Sequence, residues 1–139
     1  MRNSMLNLPF KIDLSPTLKI RSIIATRDIK ENEIIERCPV ILLDRKQEEA
    51  LKQTVLWKYY FEWDETHHAI VLGYGALINH SYTPNARYIH DYKNMYLVFK
   101  AFKNIKKDEE ITVNYNYYPN NQDELETFLL DFNDHFPGK

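Results

Sequence analysis

The feature that most limits the fold of this chain is an internal echo. Ala25-x-Arg27-Asp28-Ile29-Lys30-x-Asn32-Glu33-x-Ile35 matches Ala101-x-Lys103-Asn104-Ile105-Lys106-x-Asp108-Glu109-x-Ile111. Each copy leads from one strand-like run to the next through a polar turn, where Asn or Asp tolerates left-handed backbone. Either two hairpins meet the same turn requirement with the same residues, or two related hairpins build one pseudo-symmetric sheet. Both readings demand short strands, and 139 residues leave room for a single domain.

The rest of the pattern agrees with a mainly β (α+β) chain. β-Branched runs over 19–26 and 33–43 predict strands, the second broken at Pro39. Asp44 with Gln47 has the spacing of a capping box, and Ala50, Leu51, Val55 and Leu56 then predict a helix of roughly three turns. Further strands are expected over 69–72 and 110–115, with a hairpin of 86–90 and 95–102 turning across Asp91-Tyr92-Lys93-Asn94. Behind an Asn121…Glu124 capping box, Leu125, Phe128, Leu129 and Phe132 predict an amphipathic helix over 122–132. We read 1–18 as an extended lead-in, 19–118 as the domain proper, and 119–139 as a helical segment packed on it.

Composition removes several function classes. Eighteen Lys and Arg against twenty Asp and Glu give a net charge of −2, with no basic surplus for direct nucleic-acid binding. Three glycines argue against phosphate-cradling loops. No apolar run approaches the ~20 residues of a membrane span, and Met1 to Pro9 lack a signal-peptide layout, so a cytoplasmic protein is expected. A viral or pathogenic source would extend this to a nuclear or host-exported one. The single Cys38 excludes an intrachain disulfide. His67 and His68 are adjacent and point to opposite faces of a strand, while His90 and His135 stand alone, so no metal site is expected.

Chemistry concentrates in two segments. The first is Gly73-Tyr74-Gly75-Ala76-Leu77-Ile78-Asn79-His80-Ser81-Tyr82-Thr83-Pro84-Asn85-Ala86, which holds two of the three glycines. Its amide and imidazole groups sit between positions that permit close backbone approach and a fixed turn; a plain polar loop would account for it equally well. The second is Glu109-Glu110-Ile111-Thr112-Val113-Asn114-Tyr115-Asn116-Tyr117-Tyr118, a strand entering a tyrosine cluster. Tyrosine stripes are more often core or interface than catalysis.

Together the two segments resemble the SET-domain family of protein lysine methyltransferases. Leu77-Ile78-Asn79-His80-Ser81-Tyr82-Thr83-Pro84-Asn85 is similar to the family's third motif, and Glu109-Glu110-Ile111-Thr112-Val113-Asn114-Tyr115 to its fourth. Ile23-Ile24-Ala25-Thr26-Arg27-Asp28-Ile29 looks like the opening hairpin. Cys38-Pro39-Val40, Phe61-Glu62-Trp63 and Gly73-Tyr74-Gly75 are steps that recur in short stand-alone bacterial and viral members.

The resemblance implies a β-clip of short strands with a knot-like crossing, and S-adenosylmethionine-dependent methyl transfer to a lysine amine. Cofactor contacts would come from Arg21, Ser22, Ile23, Tyr74, Asn79, His80 and Tyr115, with Tyr115 also the catalytic residue. Walls of the substrate-lysine channel would come from Tyr59, Tyr60, Phe61, Trp63, Tyr117 and Tyr118. The implied partner is a lysine-bearing protein, such as a histone or another basic protein, met by a monomer or homodimer. This sequence departs from the family at Ile20-Arg21-Ser22, where members carry Gly-x-Gly, and at Asp108, where a glycine is common. The first departure favours the alternative implied role, a SET-like module that binds a peptide or protein with weak turnover or none.

Overall fold

The computed structural model describes residues 7–125. Its architecture is mainly β, in three curled sheets. Strands β1 (Phe10–Leu14) and β2 (Arg21–Ala25) pair antiparallel. A five-stranded antiparallel sheet runs β4 (Phe61–Glu62), β5 (His67–Val71), β3 (Ile34–Asp44), β8 (Tyr96–Ala101), β7 (Ala86–Asp91). The third sheet is a two-residue parallel pairing of β6 (Asn79–His80) with β9 (Thr112–Val113). Side chains from all three sheets, among them Ile23, Leu97, Phe99, Ile111 and Val113, fill one core and are fully buried. Each such aliphatic contributes about 1.5–3 kcal/mol relative to exposure.

The echo forms a local pseudo-dyad. Ile29 and Ile105 exchange both backbone bonds, at 2.7 and 2.8 Å. Asn32 N–H donates to the Ala101 carbonyl, and Asp108 N–H donates to that of Ala25. Glu31 N–H reaches Asn104 Oδ1, and in the mirrored position Lys107 N–H reaches Asp28 Oδ1, both at 2.9 Å. Asn32 and Asp108 both lie in the left-handed region, at φ of 71° and 74°. The two turns are thus related by a local pseudo-dyad, but neither copy is a hairpin and they do not share one sheet: the first copy leads from β2 to β3 and the second from β8 to β9, strands that do not pair within a copy and that lie in three different sheets. Asp108 meets by its own tolerance of positive φ what a glycine would have met.

Five expectations need correction. Part of the lead-in is strand: β1 covers one edge of β2, with Ile12 opposite Ile23. Pro39 does not break β3, because β3 changes partner there, from β8 at Pro39 to β5 at Val40, and no ladder needs the missing N–H. The three-turn helix is a 3-10 turn (Arg45–Gln47), a short α1 (Glu48–Lys52) and a second 3-10 turn (Val55–Lys58). Asp44 does cap, accepting from Lys46 N–H, but Thr54 adopts extended backbone and its hydroxyl closes onto the Leu51 carbonyl, so the helix stops. The strand over 110–115 keeps regular pairing only at Thr112–Val113, because the chain beyond bends into the loop that carries Tyr117. Residues 122–125 are not helical, and the remainder of the helix expected over 122–132 lies outside the described residues.

The hairpin of β7 and β8 forms as expected, with Asp91 accepting from Asn94 at its turn. His67 and His68 also part as expected, His68 buried and His67 half-exposed. No helix among the described residues is long and apolar enough to cross a membrane.

Candidate active site

The parallel crossing of β6 and β9 brings the two motif segments side by side. Asn85 locks them: its Nδ2 donates to the Glu110 carbonyl at 2.8 Å and its Oδ1 accepts from Thr112 N–H at 2.9 Å. Beneath the crossing the Glu110 carboxylate gathers a buried polar cluster. Oε1 accepts from Ser15 Oγ at 2.7 Å, and Oε2 accepts from Ser22 Oγ at 2.5 Å and Asn79 Nδ2 at 3.0 Å. Asn79 Nδ2 also approaches the Arg21 carbonyl at 3.4 Å. Arg21, Ser22 and Asn79 are thus brought together by Glu110, a residue the sequence reading left without a site role. Ile23 is a core side chain whose carbonyl accepts from Ile111 N–H. Tyr74 lies apart on the surface, its N–H on Glu36 and its ring edge-on to Phe10.

His80 and Tyr115 form the next layer. Tyr115 N–H donates to His80 Nδ1 at 3.0 Å, so the neutral imidazole carries its proton on Nε2. Burial lowers the His80 pKa to about 4, which keeps the ring neutral at ordinary pH. Nε2 is itself buried without a protein partner. The Tyr115 hydroxyl donates to the Ile78 carbonyl at 2.8 Å, and burial holds its pKa above the usual phenol range.

Tyr115 also lines a cavity of about 270 Å³ on its other side. Four of the expected channel residues, Tyr59, Tyr60, Phe61 and Tyr117, line that cavity. Trp63 does not: it is buried behind His90 and Tyr92. Tyr118 is 64% exposed, its ring set perpendicular to that of Tyr117. Sequence reasoning missed Tyr88, His90, Ile78, Ala76, Asn116, Lys58 and Glu62, all of which line it. Tyr88 and His90 carried a usable signal, since alternate residues of one strand share a face. Glu62, Ala76, Ile78 and Asn116 fall inside the segments already singled out, but nothing in the sequence says that they face a cavity, and Lys58 carried no signal.

Two local devices hold the walls. Tyr117 has φ of +78°, uncommon for an aromatic residue and costing about 1–3 kcal/mol. Asn114 sustains it: its carbonyl accepts from Tyr117 N–H, its Oδ1 from Asn116 N–H, and its Nδ2 donates to the Asn121 and Pro119 carbonyls at 2.6 and 3.3 Å. On the facing side Gly75 lies against the core, where a Cβ would sit 2.2 Å from Phe99 Cε2.

Two observations bear on whether a cofactor suits the polar layer. The buried Nε2–H of His80 has no acceptor, a cost that an acceptor on a ligand would relieve. The residues replacing the family's glycines do not crowd outward, because Ile20 is buried and the Ser22 hydroxyl is turned onto Glu110. The layer therefore offers one buried donor, His80 Nε2–H, to an acceptor on a ligand. Among the described residues, no three His, Cys, Asp or Glu side chains converge as a metal site.

Comparison with known proteins bears on the same residues. A family model described as "SET domain" matches residues 21–116. A Schizosaccharomyces pombe protein, histone-lysine N-methyltransferase, H3 lysine-37 specific, is 32% identical over 98 residues, covering 70% of this chain and 67% of its own length. A crystal structure of a Plasmodium falciparum protein assigned as a histone methyltransferase superposes with a TM-score of 0.63 at 33% identity. That superposition covers 78% of this chain and 98% of the other.

Proposed function

The chain belongs to the SET-domain family, and on that premise we propose that it is a protein lysine N-methyltransferase that uses S-adenosylmethionine and acts on a lysine-bearing protein such as a histone. One observation carries the reading. Tyr115 is shared by the two halves of the site: its backbone N–H is on His80, and the residue lines the aromatic cavity.

Arg21, Ser22, Asn79 and His80 are the residues that would hold the cofactor, which when bound supplies a methyl group on a sulfonium, already activated for in-line displacement. The chain's own part is to deliver a neutral amine in line. Walls of Tyr60, Phe61, Tyr88 and Tyr117 exclude water, which lowers the pKa of an entering lysine, while ring faces tolerate its cationic form. The Tyr115 hydroxyl has its proton committed to the Ile78 carbonyl, so only its lone pairs remain to accept an N–H of the amine. It orients the amine and does not serve as base, because burial keeps its own proton on. The lysine proton leaves to solvent through the cavity opening before transfer.

The test is transfer of labelled methyl from S-adenosylmethionine to mixed core histones by wild type and Tyr115→Phe. Loss of the hydroxyl costs about 1 kcal/mol of stability, yet methyl transfer falls on the order of 10²-fold or more. Equal rates in the two proteins would remove Tyr115 from the mechanism. No transfer by either would favour the second reading, a SET-like module that binds a lysine-bearing peptide or protein with weak turnover or none.

A further inference from the structure

One cavity wall differs from its neighbours in kind. His90 sits on β7 two residues after Tyr88, and its ring is packed among rings: stacked on Tyr92 at 5.2 Å, tilted on Trp63 at 5.2 Å and on Tyr117 at 5.5 Å. Its Nε2 lies 2.7 Å from the Glu62 carbonyl oxygen. A carbonyl only accepts, so Nε2 carries the proton and Nδ1 of the neutral ring is an unprotonated acceptor. The neutral ring therefore serves the wall as one more aromatic plate, and a second proton makes it a cation beside the cavity.

We propose that His90 is a specificity-determining residue of the cavity, admitting an alkylammonium side chain when neutral and rejecting it when protonated. This rests on the reading that the cavity receives a lysine. The physical basis is like-charge repulsion across a cavity partly walled by aromatic rings, where screening is weaker than in bulk water. A neutral ligand of the same shape is indifferent to the change.

The other ionisable groups around His90 are accounted for. Lys58 and Glu62 line the same cavity, and the Glu62 carboxylate is held by Arg45. Tyr88, Tyr92 and Tyr117 present phenols, and Arg87 lies 6.0 Å from the Tyr117 ring. Asp91, next in the strand, faces the positive charge of Arg37. His68 stands behind Tyr60 with its Nε2 on Glu48. His68 is the other imidazole near these rings, so it is the competitor that the variants must separate from His90.

The probe is n-butylammonium, the end of a lysine side chain, with n-butanol as its neutral counterpart. Binding is followed by shifts of the Trp63 indole resonance at pH 8 and pH 5. In wild type the affinity for n-butylammonium falls roughly tenfold from pH 8 to pH 5, and that for n-butanol does not. In His90→Phe, and in His90→Gln, which keeps a donor for the Glu62 carbonyl, the ratio of the two affinities shrinks to within about twofold. An unchanged ratio in both variants, an equal ratio for n-butanol, or no saturable n-butylammonium binding at pH 8 would overturn the proposal. The measurement needs no turnover. Failure of methyl transfer with the expected ratios intact would count against the methyltransferase reading alone, and unchanged ratios with methyl transfer intact would count against His90 alone.

Discussion

Replacement of Glu110 by Gln keeps size and shape but replaces one acceptor oxygen of a carboxylate whose two oxygens both accept hydrogen bonds. That carboxylate receives three side-chain donors, Ser15 Oγ, Ser22 Oγ and Asn79 Nδ2. A Gln amide can take either of two orientations, and both fail. With its NH₂ toward Ser22 and Asn79, it opposes the Asn79 amide donor directly. With its NH₂ toward Ser15, it needs a lone pair that Ser15 Oγ already gives to the Thr17 and Leu18 N–H groups, at 3.3 and 3.1 Å. One bond is lost in either case, and the survivors change from charge-assisted to neutral. Hydrogen bonds to charged groups are worth roughly 1.5–3 kcal/mol and neutral ones about 1 kcal/mol, so the substitution costs about 2–4 kcal/mol. Urea denaturation followed by tryptophan fluorescence at pH 7 measures it. Glu109→Gln is the control, since Glu109 is exposed and its carboxylate, among the described residues, accepts from Lys106 N–H alone, and it costs about 0.5 kcal/mol or less. Freed from Glu110, Asn79 loses its fixed orientation, and calorimetry should show weaker binding of S-adenosylmethionine. A Glu110→Gln protein within about 0.5 kcal/mol of wild type, by the same standard, would refute the donor count.

Two other perturbations have outcomes fixed by the same core and polar layer. Gly75→Ala drives a methyl group into the fully buried Phe99 ring and destabilises by about 1–3 kcal/mol or more, read as a drop in melting temperature. His80 favours its neutral form in the fold, its pKa lowered from 6.5 to about 4. The stability this contributes is complete above pH 6.5 and is lost as pH falls toward 4. After allowance for its partial exposure the loss is roughly 1–2 kcal/mol, and His80→Gln abolishes that part of the pH dependence in urea titrations.

What the sequence determined on its own was whatever depends on neighbours along the chain. Residues 86–102 read as a hairpin because strand alternation and a polar turn are local signals, and Asn32 and Asp108 marked their turns because their side chains tolerate positive φ. The two motif segments were legible for the same reason, and with them Asn79, His80 and Tyr115. Tertiary structure decided everything that depends on who meets whom. Pro39 looked like a strand breaker until β3 was seen to change partners there. Trp63 and Tyr118 looked like walls because aromatic character is written in the sequence and direction is not; Tyr88 and His90 took those places because β7 runs past Tyr117. Glu110 became the hub of the polar layer only because the chain's crossing sets it against Ser15 and Ser22, nearly the whole domain away in sequence. A carboxylate's donors are chosen by distance in space, and the order of residues along a chain does not contain that distance.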